Sequence, residues 1–129
     1  MNDLSAAPDY LVISRGQWDA DASQDEIQSA IDEFYHWMDQ SIADGTMRMG
    51  SRLGTGGATV SKTGIITDGP YGEAKEVIGG FWFIIADSLA EAAALAAKNP
   101  CLKFGIFFEI RATDAMRACI VNPSVEKPC

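Results

Sequence analysis

The run FWFIIA, residues 81–86, is the most apolar stretch of the chain, and it follows two glycines, Gly79 and Gly80. Alternate side chains of an extended strand point to opposite sides, so Phe81, Phe83 and Ile85 share one side and Trp82 and Ile84 the other. Both sides are apolar. Residues 106–111 repeat the pattern, with Ile106, Phe108 and Ile110 on one side and Phe107, Glu109 and Arg111 on the other. Strands of this kind need cover on two faces.

Working outward, Tyr10-Leu11-Val12-Ile13 has the composition of a strand, closed by Gly16. Ser23-Gln24-Asp25-Glu26 fits a capping box, and Ile27, Ala30, Ile31, Phe34, Met38 and Ile42 follow at helical spacing, with Gly45 as the stop. Met47 to Leu53 is expected to be a second strand. A small hairpin follows, with arms Ala58–Ser61 and Ile65–Thr67 around Lys62-Thr63-Gly64. Ser88-Leu89-Ala90-Glu91 is a second capping box, opening an alanine-rich helix that should end at Asn99-Pro100. The order strand, helix, strand with hairpin, strand, helix, strand predicts a single α+β domain over residues 1–129. It would be a ferredoxin-like βαββαβ unit with an inserted β-hairpin, its core spanning about residues 9–112, followed by a tail at 113–129. Right-handed crossovers put both helices on one face. The other face is left bare, and a second copy of the chain is expected to cover it, giving a homodimer through its sheet faces.

A length of 129 residues suits one core, and 47% apolar with 22% charged residues is globular composition. Eighteen acidic against ten basic residues give a formal charge of −8, which argues against nucleic acid as a partner. No apolar run is long enough for a membrane span, and MNDLSAAPDY lacks the features of a secretion signal, so a cytoplasmic location is expected. Cys101, Cys119 and Cys129 have no metal-ligand spacing and read as reduced thiols. No metal and no cofactor are expected.

Between the hairpin and the FWFIIA strand lies TDGPYGEAKEVIGG, residues 67–80. Its segment Asp68-Gly69-Pro70-Tyr71-Gly72-Glu73-Ala74-Lys75-Glu76 resembles the DGPFAETKE signature of the YCII-related family, DGPF type, and Gly79-Gly80-Phe81 and Glu109-Ile110-Arg111 look like its later landmarks. The likeness covers about residues 9–112 and implies a dimeric α+β barrel of ferredoxin-like halves. Tyr71 stands where the signature has Phe, and Gly72 and Ala74 replace Ala and Thr. A His and Asp pair is proposed as catalytic in the related branch. The single histidine here, His36, falls on the polar side of the first helix, so that dyad is not carried over.

The polar loop is expected to edge a cleft over the sheet. Asp68 there is the candidate general base, since a carboxylate beside an apolar cleft can be held at a raised pKa; alternatively it accepts backbone hydrogen bonds and fixes the turn. Tyr71 and Trp82 are candidate walls of the cleft, although both residue types also fill cores. Glu109 and Arg111 share a face with Phe107, where each charge needs a partner or a polar ligand. An arginine there, or Arg52 at the end of the second strand, could grip a carboxylate. Gly54, Gly56 and Gly57 lack the spacing of a phosphate loop and read as a turn.

Two functions fit these residues. One is a small-molecule-binding protein or cofactor-free enzyme acting on a small organic acid or phenol. The other is a non-catalytic interaction module, with Glu73, Lys75 and Glu76 as its recognition surface; the family resemblance suggests association with sigma factors.

Overall fold

The computed structural model describes residues 8–66 and 78–115. The chain runs β1 (Asp9–Arg15), α1 (Gln24–Ala43), β2 (Met47–Arg52), β3 (Thr59–Ser61), β4 (Gly64–Ile66), β5 (Ile78–Ile85), α2 (Leu89–Ala96), a 3-10 turn (Pro100–Phe104) and β6 (Phe107–Ala112). Four strands form one sheet in the order β2-β5-β1-β6, with every neighbouring pair antiparallel. The architecture is α+β, and this strand order is compatible with a ferredoxin-like unit. Strands β3 and β4 form a separate hairpin with Ser61 opposite Gly64, which leaves Lys62-Thr63 as the turn.

Register decides which residues share a face. Val12 pairs with Trp82 on one side and Ile110 on the other, and Tyr10 pairs with Ile84. These residues therefore stand on one side of the sheet, and both helices pack there: Phe34, Trp37 and Met38 of α1 join Ala92, Leu95 and Ala96 of α2 in a single core with Tyr10, Val12, Trp82 and Ile84. Small alanines let α2 approach closely. The opposite side carries Leu11, Ile13, Phe81, Phe83 and Ile85, all half-buried, with Phe107 51% exposed. No described element covers that side.

Helix α1 begins as expected. The Ser23 hydroxyl accepts from Glu26 N at 3.0 Å, and the Glu26 carboxylate accepts from Ser23 N at 2.9 Å. At α2 only half of the box forms, with Ser88 Oγ accepting from Glu91 N at 3.1 Å. The buried stripe of α1 also drifts: Trp37 packs against the core while Ile42 is 37% exposed, because 3.6 residues per turn carries the stripe from Phe34 toward Trp37 and Met38. Helix α2 stops at Ala96, earlier than proline alone would dictate. The chain then uses Pro100 to start the 3-10 turn, with Asn99 Oδ1 accepting from Cys101 N at 2.9 Å. Among the described residues, no helix is long and apolar enough to cross a membrane.

Two bulges kink the sheet near one end. Between β1 and β5 the register slips past Gly79, and between β2 and β5 it slips past Met49 and Gly50. Gly80 sits between them, and a Cβ there would lie 2.7 Å from the Ser51 carbonyl oxygen. Only glycine permits β2 to close on β5 at this point. Gly80→Ala should therefore destabilise the protein by about 1–3 kcal/mol, the usual cost of forced overpacking. A lowered urea midpoint with unchanged m-value is the expected result, and an unmoved midpoint would show that the strands part freely.

Candidate functional site

The kinked end of the sheet and the middle of α1 border an open cleft of about 570 Å³. Its floor is Ser14, Gly79 and Gly80, and its walls are aromatic: Trp18, Phe34, Tyr35, Trp82 and Phe108. A side chain at Gly79 would stand 3.5 Å from Ser14 Oγ, so the missing Cβ there helps keep the floor open. Trp18 comes from the loop after β1, which is held by Asp19 N donating to the Phe104 carbonyl at 2.7 Å. Gly105, at φ 102°, lets the chain turn beneath this loop; a Cβ there would meet Gln17 O at 2.7 Å.

Trp82 is locked edge-on between two rings, Phe34 at 5.4 Å and Phe108 at 5.3 Å between centroids. It is 4% exposed, and its indole Nε1–H has no hydrogen-bond partner among the described residues. Leaving a buried donor unmet costs about 1–3 kcal/mol. Arg52 lies at the β2 edge of the cleft, exposed and, among the described residues, in no ion pair. Cys101 lines the inner wall, but burial, aided by the nearby Glu33 charge, pushes its thiol up to about 11. Such a group stays protonated near neutrality and is a poor nucleophile.

The sequence expectations divide across the sheet. Trp82 and Arg52 do line the cleft. Glu109 and Arg111 do not: they lie on the opposite face with Phe107, because Ile13 pairs with Glu109 and Leu11 with Arg111. There Glu109 accepts from Arg15 at 3.1 Å and from Arg111 at 3.0 Å, so one carboxylate is shared by two arginines. Hydrogen bonding from Arg111, then from Arg15, holds the Glu109 carboxyl below the usual range despite partial desolvation. Arg48 pairs with Asp9 and lies 4.1 Å over the Phe83 ring on the same face. Asp68 and Tyr71, with Glu73, Lys75 and Glu76, fall outside the described residues. His36 is exposed on α1.

Sequence reasoning missed Trp18, Tyr35 and Ser14 as cleft residues. Trp18 has no periodic neighbours to flag it, and Phe34 falls on the helical stripe that reads as core. Gly79-Gly80 was the available signal, since paired glycines inside a strand mark a bulge or a close approach.

A model of the YCII-related domain matches residues 10–115. The chain belongs to the YCII-related family. No curated protein matches it. In this YCII-related domain both the cleft and the open sheet face lie within the matched region. Among the described residues, no group of His, Cys, Asp and Glu is arranged to hold a metal ion.

Because Glu109 is depressed below the ordinary glutamate value of about 4.3, its contribution to stability is complete above that value. It is lost as pH falls through the lower folded pKa. The stability gap between the wild type and Glu109→Gln should hold at every pH above the unfolded glutamate value and narrow as pH falls below it. Urea unfolding at several pH values reads this directly, and a gap independent of pH would mean that the arginines do not hold Glu109 as a carboxylate.

Proposed function

We propose that this YCII-related protein binds a small, mainly apolar organic acid or phenol in the cleft between α1 and the kinked end of the sheet. The observation that carries this reading is an aromatic-walled hollow of about 570 Å³ with one exposed arginine, Arg52, at its edge. Hollows of this volume suit drug-sized and smaller ligands, and a few placed polar groups orient what apolar walls hold. A guanidinium presents paired N–H donors to a carboxylate, which gives Arg52 the anchoring role. Residues 67–77 precede β5 in the sequence and β5 begins next to the cleft-lining Gly79; on that nearness in sequence we assign Tyr71 as a further wall and Asp68 as a base. Proton transfer without a cofactor is the chemistry these groups allow. The Asp68–Glu76 motif supports placement in the DGPF-type branch.

The open face supports a homodimer. Leu11, Ile13, Phe81, Phe83 and Ile85 form an apolar strip flanked by the Arg15–Glu109–Arg111 and Arg48–Asp9 pairs, the pattern of an interface with a greasy centre and a polar rim. A second copy laid face to face would give the dimeric α+β barrel.

A panel of small aromatic carboxylates and phenols should contain ligands that raise the melting temperature, by roughly 10 °C at a hundredfold excess over Kd. Arg52→Ala should weaken acids by roughly 10- to 100-fold while sparing the fold, and Gly79→Leu should fill the floor and abolish the response. If no compound shifts the melting temperature, the cleft is not a ligand site and the interaction-module reading takes its place. Asp68→Asn should remove any turnover without lowering stability; loss of stability instead would assign Asp68 to holding the loop. Phe83→Asp should give a folded monomer by sedimentation velocity, and wild type sedimenting as a monomer at micromolar concentration would sink the dimer.

A further inference from the structure

Ser14 of β1 and Arg52 of β2 both pair with Gly80 of β5, one on each side of it. Val12 pairs with Trp82 two residues along, so this row stands on the covered face, and both Ser14 and Arg52 line the cleft. Gly80 has no side chain to separate them. The Ser14 hydroxyl has no hydrogen-bond partner among the described residues. It is not sealed off either, because the unmet side-chain atoms out of reach of solvent among those residues are Trp82 Nε1 and Asn99 Nδ2. Ser14 Oγ is thus a reachable polar atom on the cleft floor, 3.5 Å from where a Cβ on Gly79 would stand.

We propose that Ser14 selects acids with an oxygen on the carbon next to the carboxylate, its hydroxyl donating to that oxygen while Arg52 holds the acid group. This rests on the reading of the cleft as an organic-acid site. Spacing sets the choice. Ser14 and Arg52 stand two strand spacings apart, about 10 Å between their Cα atoms. Side chains rise roughly perpendicular to a sheet, so two hydrogen bonds of about 2.8 Å each take up more than half of that gap and leave about 4 Å for the ligand's own atoms. That is the reach from the outer carboxylate oxygen to a hydroxyl or keto oxygen on the adjacent carbon. A ring with its acid and its hydroxyl at opposite ends is too long. The rest of the ligand then lies against Trp18, Phe34 and Tyr35. An apolar group pressed on Ser14 would strip the hydroxyl of water and return no bond, which disfavours the plain acid. The ligand class is a 2-hydroxy or 2-oxo acid with an aromatic or bulky aliphatic tail.

The test is a matched pair, 3-phenyllactate and 3-phenylpropanoate, which differ by the one hydroxyl beside the carboxylate, with 3-(4-hydroxyphenyl)propanoate carrying the hydroxyl at the far end instead. Titration calorimetry on the wild type should show the better-fitting enantiomer of 3-phenyllactate binding about fivefold more tightly than 3-phenylpropanoate, the worth of one neutral hydrogen bond. The far hydroxyl should bring no such gain. In Ser14→Ala the preference should vanish with both acids still bound. The comparison within the wild type stands even if that variant fails to fold. Equal affinities of the pair in the wild type, or a preference that survives in Ser14→Ala, would overturn the role of Ser14 and leave acid binding standing. So would failure of both compounds while other acids of the panel bind. Failure of the whole panel would overturn the cleft reading, and the inference with it.

Discussion

Trp82 is the piece on which the rest of this fold leans. Standing on the covered face of the second strand in the sheet, it meets Phe34 of α1 and Phe108 of β6 edge-on, so one side chain fixes a helix to two strands at once. Edge-to-face pairs contribute about 0.5–1.5 kcal/mol each beyond simple burial, and they prescribe angles as well as distances. The same rings wall the cleft. Its shape is thus held by groups that also hold the core together, which is what a preorganised site requires.

The sheet separates two tasks that use similar residues. On the covered side one arginine, Arg52, is exposed beside an aromatic hollow; on the open side Arg15, Arg48 and Arg111 are engaged by Glu109 and Asp9 around Phe83 and its neighbours. Exposed ion pairs of this kind add little to stability singly. Their value would rise if a second subunit excluded water from the face, because the same charges would then interact through a medium of lower dielectric. Arginines that share carboxylates cost less to cover than bare ones, although three of them against two carboxylates leave this group with a net positive charge.

Much of this was legible in the chain, because period-two alternation and helical spacing are local properties. The two apolar sides of residues 81–86, the cap at Ser23 and the side of β6 that carries Phe107, Glu109 and Arg111 could all be read without knowing any contact. What could not be read was how one strand's sides align with the next. Parity places Trp82 opposite Phe81, and Arg111 opposite Ile110, but only the pairings of Val12 with both Trp82 and Ile110 put Trp82 and Arg111 on different faces. A candidate site drawn from both strands was split for that reason. Trp18 was missed for another: its position comes from a loop tied to Phe104, a contact between distant residues with no periodic signature.

The hollow itself is a consequence of backbone geometry. A hydrophobic side chain at Gly80 would fill part of it, yet its first carbon would strike the Ser51 carbonyl, so β2 could not keep its place beside β5. The bulges at Gly79 and at Met49-Gly50 bend the strands around that same point. Space near Trp82 is therefore tied to strand pairing: closing it by substitution at Gly80 loosens the sheet, while Gly79, whose Cβ would meet only the Ser14 side chain at ordinary contact distance, can be enlarged without that penalty. The two adjacent glycines look alike in the sequence but do different work, one permitting the fold and the other keeping the cleft open.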